Sequence, residues 1–355
     1  MANGATAIDE VFMQRCIELA ATAAGNVAPN PMVGAVLVFD GKIIGEGYHK
    51  QYGHAHAEVN CINSVTEADK HLITRSVLYV SLEPCAHFGK TPPCADLIIQ
   101  HKIPKVVIGA GDPFKDVNGK GIEKLKSAGV EVVPDVLKDE CIALNKRFFT
   151  FHQQQRPYII LKWAQTADGM MGSGTGERLF ISNQYTNRLV HKWRSEEAAI
   201  LVGTNTALQD DPSLNVRNWK GKDPVRLVID MDLRLPSSLK IFDRKQRTIV
   251  FNSITHKEDE MLSFFQLTKE RHIVPQVLKA CYQRNIQSIL VEGGAKLLQS
   301  FIDEQCWDET RVITNTALYT GKGLPAPLFN HAREVRKETI LNDSIAYFAP
   351  DVNNP

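Results

Sequence analysis

Two α/β domains in tandem are predicted by three observations. Strand-like and helix-like segments alternate along the chain, one polar stretch interrupts that alternation, and 355 residues exceed one ordinary domain. Each half is large enough to bury its own core. Hydrophobic residues at 43% and charged residues at 23% fit an ordinary globular protein and argue against a disordered one. A net charge of +1 gives no overall field to steer the chain to nucleic acid or a membrane surface.

The opening Met1-Ala-Asn-Gly-Ala-Thr-Ala-Ile has neither a basic nor an apolar signal region. No stretch approaches the roughly 18 apolar residues of a membrane helix. The cysteines at 16, 61, 85, 94, 141, 281 and 306 are odd in number and scattered, so they read as reduced thiols, some available to a metal. A cytoplasmic location is expected.

In the first half, Ile8, Val11, Phe12, Cys16, Leu19, Ala20 and Ala23 recur at helical spacing over 8–24, with Asp9 as the expected cap. Val33–Phe39 and Lys42–Tyr48 read as strands joined by the hairpin turn Asp40-Gly41. A helix over 57–68, a strand at 77–82 and a helix after Pro92-Pro93 follow. The half closes with a strand at 105–110, a helix at 122–127 and a strand at 130–133. The polar run His152-Gln-Gln-Gln-Arg156-Pro157 reads as a linker or exposed crossover, which sets domains of 1–152 and 153–355. Beyond it, strands are expected near 158–164, 198–203, 225–230, 248–251, 288–292 and 310–314. Helices are expected near 182–196, 275–284 and 295–304. No internal repeat is visible.

The densest chemistry is His56-Ala-Glu58, then Glu83-Pro84-Cys85, then Pro92-Pro93-Cys94. One imidazole, two thiolates and a water make a four-coordinate zinc site with one exchangeable position. Zinc is borderline-soft, redox-inert and Lewis-acidic, and lowers the pKa of bound water towards about 7. A carboxylate two residues from His56 can reach that water without being a ligand, so Glu58 is the candidate proton carrier. His56 and Cys94 both stand at helix starts, where the positive helix end favours thiolate. The alternatives are a structural Cys₂His site or unligated core thiols. A structural site closes its fourth position, and no fourth ligand of matching context follows.

The pattern His-x-Glu followed by Pro-Cys and Cys resembles the zinc deaminases. Eight residues, Ala86 to Pro93, separate the two cysteines, longer than the common gap. The segment Glu83-Pro-Cys-Ala-His-Phe-Gly-Lys-Thr-Pro-Pro-Cys94 is similar to the bifunctional deaminase–reductases of riboflavin biosynthesis. Asn30-Pro31-Met-Val33-Gly34, Gly45-Glu-Gly47-Tyr-His49 and Gly111-Asp112-Pro113 extend the likeness. The resemblance implies a cytidine-deaminase-like three-layer α/β/α domain followed by a dihydrofolate-reductase-like α/β domain. It implies one zinc per chain and a deaminase pocket lined by Asn30, His49, Lys90 and Asp112. Asn30 and Asp112 suit a heterocycle edge, His49 and Lys90 a phosphate. Phe114 stands where the family usually has Asn, so polar contacts from that position are lost.

Leu161-Lys162-Trp-Ala164, Leu201-Val-Gly203-Thr-Asn-Thr206, Asp210-Asp211-Pro212 and Glu292-Gly293-Gly294 resemble the family's reductase half. The resemblance implies NADPH as hydride donor, and no Gly-x-Gly-x-x-Gly after a strand points to a Rossmann site. By position, Ala164, Phe180, Thr206, Asp210 and Gly294, Ala295, Lys296, Leu297, Leu298, Gln299 and Ser300 would contact NADPH. Lys162, Arg178, Arg194, Leu214, Arg217 and Glu292 would surround the substrate, the arginines fitting a ribose phosphate. Arg178 and Phe180 depart from the family's usual Ser and Trp. From the residues alone, Gly293-Gly294 reads equally as a tight strand-to-helix turn or as a place for phosphate at a helix start.

The expected activity is two-step. A diamino-pyrimidinone ribosylamine phosphate loses its 2-amino group as ammonia, and NADPH then reduces the ribosyl group to ribityl. The expected partners are that small phosphorylated pyrimidine and further copies of the chain, with no nucleic acid and no membrane. One rival is a nucleic-acid base deaminase with an RNA-binding second half, against which stand the cysteine gap and the near-zero charge. The other is a structural zinc module that binds partners.

Overall fold

A capping box starts the first helix, α1 (Ala7–Ala21): Thr6 Oγ1 accepts from the Asp9 amide, and the Asp9 carboxylate accepts from the Thr6 amide at 2.8 Å. Thr6 is therefore the cap, and Asp9, expected in that role, is its third-residue partner. The structure is a computed structural model and describes residues 6–88, 92–114, 118–173, 179–328 and 330–351. Two units divide the chain, one running to Gln155 and the other starting at Arg156.

The first unit holds five strands: β1 (Gly34–Phe39), β2 (Lys42–Tyr48), β3 (Val77–Leu82), β4 (Lys105–Ala110) and β5 (Glu131–Val133). Their order is β2-β1-β3-β4-β5, with β1 antiparallel to both neighbours and β3, β4 and β5 parallel. Side chains alternate across a strand, so β1 sends Ala35 and Leu37 to one face and Val36 and Val38 to the other. The Ala35 face is covered by α2 (Ala57–Asn63), α3 (Cys94–Gln100) and α4 (Lys120–Ser127), through Cys61, Ile98 and Leu125. The Val36 face is covered by α1, α5 (Lys138–Leu144) and α6 (Lys146–Gln154), through Met13, Cys141 and Phe148. Three layers result. Each such fully buried aliphatic chain is worth about 1.5–3 kcal/mol, so the sheet is held from both sides.

Two elements differ from those the sequence predicts. Helix α2 is shorter than the expected 57–68. The polar run read as a linker is partly helical: α6 reaches Gln154, and Gln155 ends it in the left-handed region. Phe148, Phe149 and Phe151 are buried, so the glutamines are only the solvated end of a packed helix.

The second unit carries β6 (Tyr158–Thr166), β7 (Met170–Gly172), α7 (Gln184–Glu196), β8 (Ala199–Gly203), α8 (Thr204–Asp210), β9 (Val225–Ile229), β10 (Thr248–Asn252) and β11 (Leu262–Gln266). It continues with α9 (Ile273–Gln283), β12 (Ser288–Val291), α10 (Ala295–Asp303), β13 (Glu309–Asn315), β14 (Leu324–Pro325), β15 (Ala332–Ile340) and β16 (Asp343–Pro350). Nine strands run in the order β11-β10-β9-β8-β12-β6-β13-β16-β15, parallel as far as β13 and antiparallel beyond it. Helices α9 and α10 bury Val277 and Phe301 on one face, and α7 buries Val190 and Trp193 on the other. Among the described residues no helix is long and apolar enough to cross a membrane.

Candidate functional site

The carboxyl ends of β3 and β4 gather the deaminase candidates. Residues 83–88 leave β3, residues 111–114 leave β4, and the segment entering β1 lies beside them, where the Gly34 amide donates to Ser81 Oγ. His56 stands at the N-cap of α2 with extended backbone, and its side chain caps nothing, which leaves the ring for another partner. His56 Nδ1 lies 3.3 Å from Cys94 Sγ and 3.7 Å from Cys85 Sγ. One ligand atom from each of the three residues falls within 4.8 Å of the others. The Cys94 amide donates to Cys85 Sγ at 3.4 Å, so the backbone itself supports negative sulfur there. Hydrogen bonding from Cys94 brings the Cys85 thiol down to about 4, while Cys85 and burial push Cys94 up. Two sulfurs and one imidazole nitrogen at this spacing fit a tetrahedral zinc with one position left over.

Glu58, in the first turn of α2, is buried, and burial followed by the charge on Cys85 raises its pKa. A carboxyl that gains a proton this readily suits proton carriage. Asn30 and His49 are brought together: the Asn30 amide donates to His49 Nε2 at 3.1 Å, and His49 Nδ1–H donates to the Ala55 carbonyl at 3.1 Å. Burial lowers the His49 pKa, and both ring nitrogens are engaged. That fits a residue orienting Asn30 better than the phosphate contact expected from sequence. The His49 ring lies 5.4 Å from that of His56, which links Asn30 through His49 to the His56, Cys85 and Cys94 group. Asp112 accepts from the Phe114 amide at 2.8 Å, and burial raises its carboxyl to about 7. Lys90 lies outside the described residues.

No local signal in the sequence marks a role for Glu83. Its buried carboxylate accepts from the amides of Asp112 at 3.3 Å, Gly119 at 3.0 Å, Gly121 at 2.9 Å and Ile122 at 3.3 Å. The approach is close: a Cβ on Gly121 would stand 1.9 Å from the Pro84 carbonyl oxygen, so only glycine fits. Glu83 thereby ties the Cys85 loop to the Asp112 turn and the start of α4.

In the second unit the candidates lie at the carboxyl ends of parallel strands, where α/β sheets bind ligands. Lys162 is on β6, and Glu292 directly follows β12. Arg194 of α7 grips Glu292 with Nε and Nη2, each 2.7 Å from a carboxylate oxygen, and Lys162 Nζ lies 3.9 Å from Oε2. Burial would raise the Glu292 carboxyl, but Arg194 and then Lys162 outweigh it and bring it to about 2. Arg194 is thus committed to Glu292, whereas the sequence reading offered its guanidinium to a phosphate. Leu214 is buried, and the Arg217 amide donates to His191 Nδ1 at 3.4 Å, a histidine the sequence reading passed over. Arg178 lies outside the described residues.

Thr206 meets the Gly293-Gly294 turn: a Cβ on Gly293 would come 2.8 Å from Thr206 Cγ2, and Gly294 has φ +77°. No side chain caps α10, so the amides opening that helix suit an anionic phosphate. Leu297 faces Gly203, while Leu298 points into the core, where only its backbone is left to meet a ligand. Gln299 exchanges hydrogen bonds with the backbone of Leu328, and Ser300 donates to Lys296 one turn back. Ala164 is half-buried on β6, Asp210 ends α8, and Phe180 is 77% exposed.

A family model described as the cytidine and deoxycytidylate deaminase zinc-binding region matches residues 6–110, and one described as the RibD C-terminal domain matches 157–332. The riboflavin biosynthesis protein RibD of Aquifex aeolicus is 40% identical over 89% of this chain and 89% of its own length. That of Bacillus amyloliquefaciens is 36% identical over 97% of this chain and 95% of its own. A solved diaminohydroxyphosphoribosylaminopyrimidine deaminase/5-amino-6-(5-phosphoribosylamino)uracil reductase of Thermotoga maritima matches with a TM-score of 0.87 at 36% identity, covering 97% of this chain and 99% of that one. Acinetobacter baumannii RibD matches with a TM-score of 0.87 at 30% identity, covering the same shares. With a cytidine-deaminase-like zinc-binding unit followed by a reductase unit, the chain belongs to the RibD family, the bifunctional deaminase–reductases of riboflavin biosynthesis.

Proposed function

We propose that the first unit converts 2,5-diamino-6-(5-phosphoribosylamino)pyrimidin-4-one to 5-amino-6-(5-phosphoribosylamino)uracil and ammonia, and that the second reduces the ribosyl group of this product to ribityl with NADPH. The observation that carries the reading is the convergence of His56, Cys85 and Cys94 within 4.8 Å, beside the buried acid Glu58. One zinc per chain, held by those three residues, would make water acidic enough to lose a proton near neutral pH. Glu58 would take that proton to the ring nitrogen as the water oxygen bonds to the amino-bearing carbon. It would then carry the proton of the added hydroxyl to the amino group, so that the carbonyl forms, the C–N bond breaks and ammonia leaves. Asn30, set by His49, and Asp112 meet the ring edge, and Lys90 meets the phosphate.

In the second unit NADPH would supply hydride, and the opening amides of α10 beside Thr206 would hold its phosphates. Lys162, Leu214 and Arg217 surround the ribosyl group, with Arg178 expected beside them. Arg194 holds Glu292 in place. The deaminase portion ends at Gln155, with α6. The reading places the protein in the cytoplasm, where its unpaired cysteines stay reduced, with small molecules and copies of itself as partners.

Purified protein incubated with the diamino-nucleotide, with and without NADPH, tests the scheme. Ammonia release without NADPH, NADPH oxidation only after it, and one equivalent of zinc are expected. A zinc-loaded protein that releases no ammonia would refute the scheme.

A further inference from the structure

We propose that α6 positions the deaminase pocket, with Asn145 setting the Asn30 side and His152 setting the Asp112 side. The proposal rests on the reading above, in which Asn30 and Asp112 meet the pyrimidine.

Asn145 stands at the N-cap of α6, a place where an asparagine side chain ordinarily accepts from its own helix. Here it makes no such bond. Its buried amide is spent on one distant residue instead: Oδ1 accepts from the Met32 amide and Nδ2 donates to the Met32 carbonyl, both at 2.8 Å. Such two-way pairing fixes a backbone in position and orientation. Met32 lies two residues after Asn30, whose amide reaches His49, and the next backbone link, from the His49 amide to the Val33 carbonyl, is 2.9 Å. Asn145 therefore clamps the segment from which Asn30 projects.

Seven residues further on, about two helical turns, His152 lies near the same face of α6. Its ring meets Phe114 edge-on with centroids 5.1 Å apart, and Phe148 at 4.5 Å supports it from behind. The Phe114 amide donates to Asp112 Oδ1. The segment carrying Asn30 and the turn carrying Asp112 are thus each held by one end of the same helix. Neither Asn145 nor His152 is among the groups assigned to the chemistry, and both act through Asn30 or Asp112. They are positioning residues.

The test uses full-length Asn145→Asp, His152→Ala and His152→Phe. The aspartate keeps the shape of asparagine but cannot donate to the Met32 carbonyl. For Asn145→Asp and His152→Ala we expect full zinc content, an unchanged reductase step, and deaminase kcat/KM at least tenfold lower, mainly through KM. His152→Phe retains the ring contact and is expected to stay within about twofold of the unmutated enzyme. If Asn145 acts through Asn30, Asn145→Asp adds little in an Asn30→Ala background, since effects of residues on one path are not additive. Deaminase constants unchanged in Asn145→Asp, full additivity with Asn30→Ala, or activity lost only in step with zinc would each overturn the proposal. An unmutated enzyme that fails to deaminate the nucleotide would instead overturn the function proposed above.

Discussion

Arg194 and Glu292 form a two-pronged ion pair at 2.7 Å on both arms, with Lys162 3.9 Å from one carboxylate oxygen. Both side chains of the pair are largely buried, so solvent screens it little. Glu292→Gln keeps the shape and leaves two buried cations uncompensated. Breaking a buried pair in this way typically costs about 3–5 kcal/mol. The second unit is expected to unfold at lower temperature and NADPH oxidation to fall sharply, while ammonia release without NADPH persists. Calorimetry beside the two assays checks this, and an unchanged unfolding temperature would contradict the weight given to the pair.

Glu58→Gln removes the proton acceptor without altering the fold around it. Positioned acid–base groups contribute about 10²–10⁴-fold, so deamination is expected to drop by at least two orders of magnitude with zinc content unchanged. A loss below about tenfold would remove Glu58 from the mechanism.

His191 gives the second unit a pH dependence. Burial, then the charges of Arg194 and Arg217, lower its pKa from 6.5 to about 4, and Glu292 only partly opposes them. Between those values the unfolded chain binds a proton that the folded one refuses, so stability falls as pH falls from 6.5 through 4. In His191→Gln, which still offers an oxygen to the Arg217 amide, the slope of unfolding free energy across that window is expected to be shallower. Identical slopes in denaturant titrations would rule His191 out as the source.

A fragment ending at Gln155 keeps α6 whole, whereas one ending at Leu144 removes both Asn145 and His152. The longer fragment is expected to bind zinc and release ammonia, and the shorter to lose most of its deamination. Equal activity of the two would mean that α6 is dispensable to the first unit.

The zinc trio was legible because its residue types and spacing carry the chemistry directly, and the alternating strands were legible because buried apolar residues set their period. Helix α6 was not, since its sequence ends in glutamines and its burial rests on three phenylalanines spaced too closely to trace a stripe. Strand β15 was missed for the opposite reason: as an edge strand it is mostly exposed and charged, so no apolar rhythm announces it. The commitment of Arg194 to Glu292 and of Glu83 to four amides depends on residues 98 and up to 39 positions away. No local pattern encodes such pairings.

Glu83 also bears on how the first unit can be rebuilt. Because its carboxylate accepts from the amides of Asp112, Gly119, Gly121 and Ile122, the start of the Cys85 loop, the Asp112 turn and the start of α4 are tied into one cassette. Grafting the cysteine loop alone onto a related deaminase would carry the carboxylate away from the amides shaped around it. A transplant that moves these segments together keeps the joint intact. Substrate range in such chimeras is then open to alteration from within the cassette without disturbing the sheet beneath.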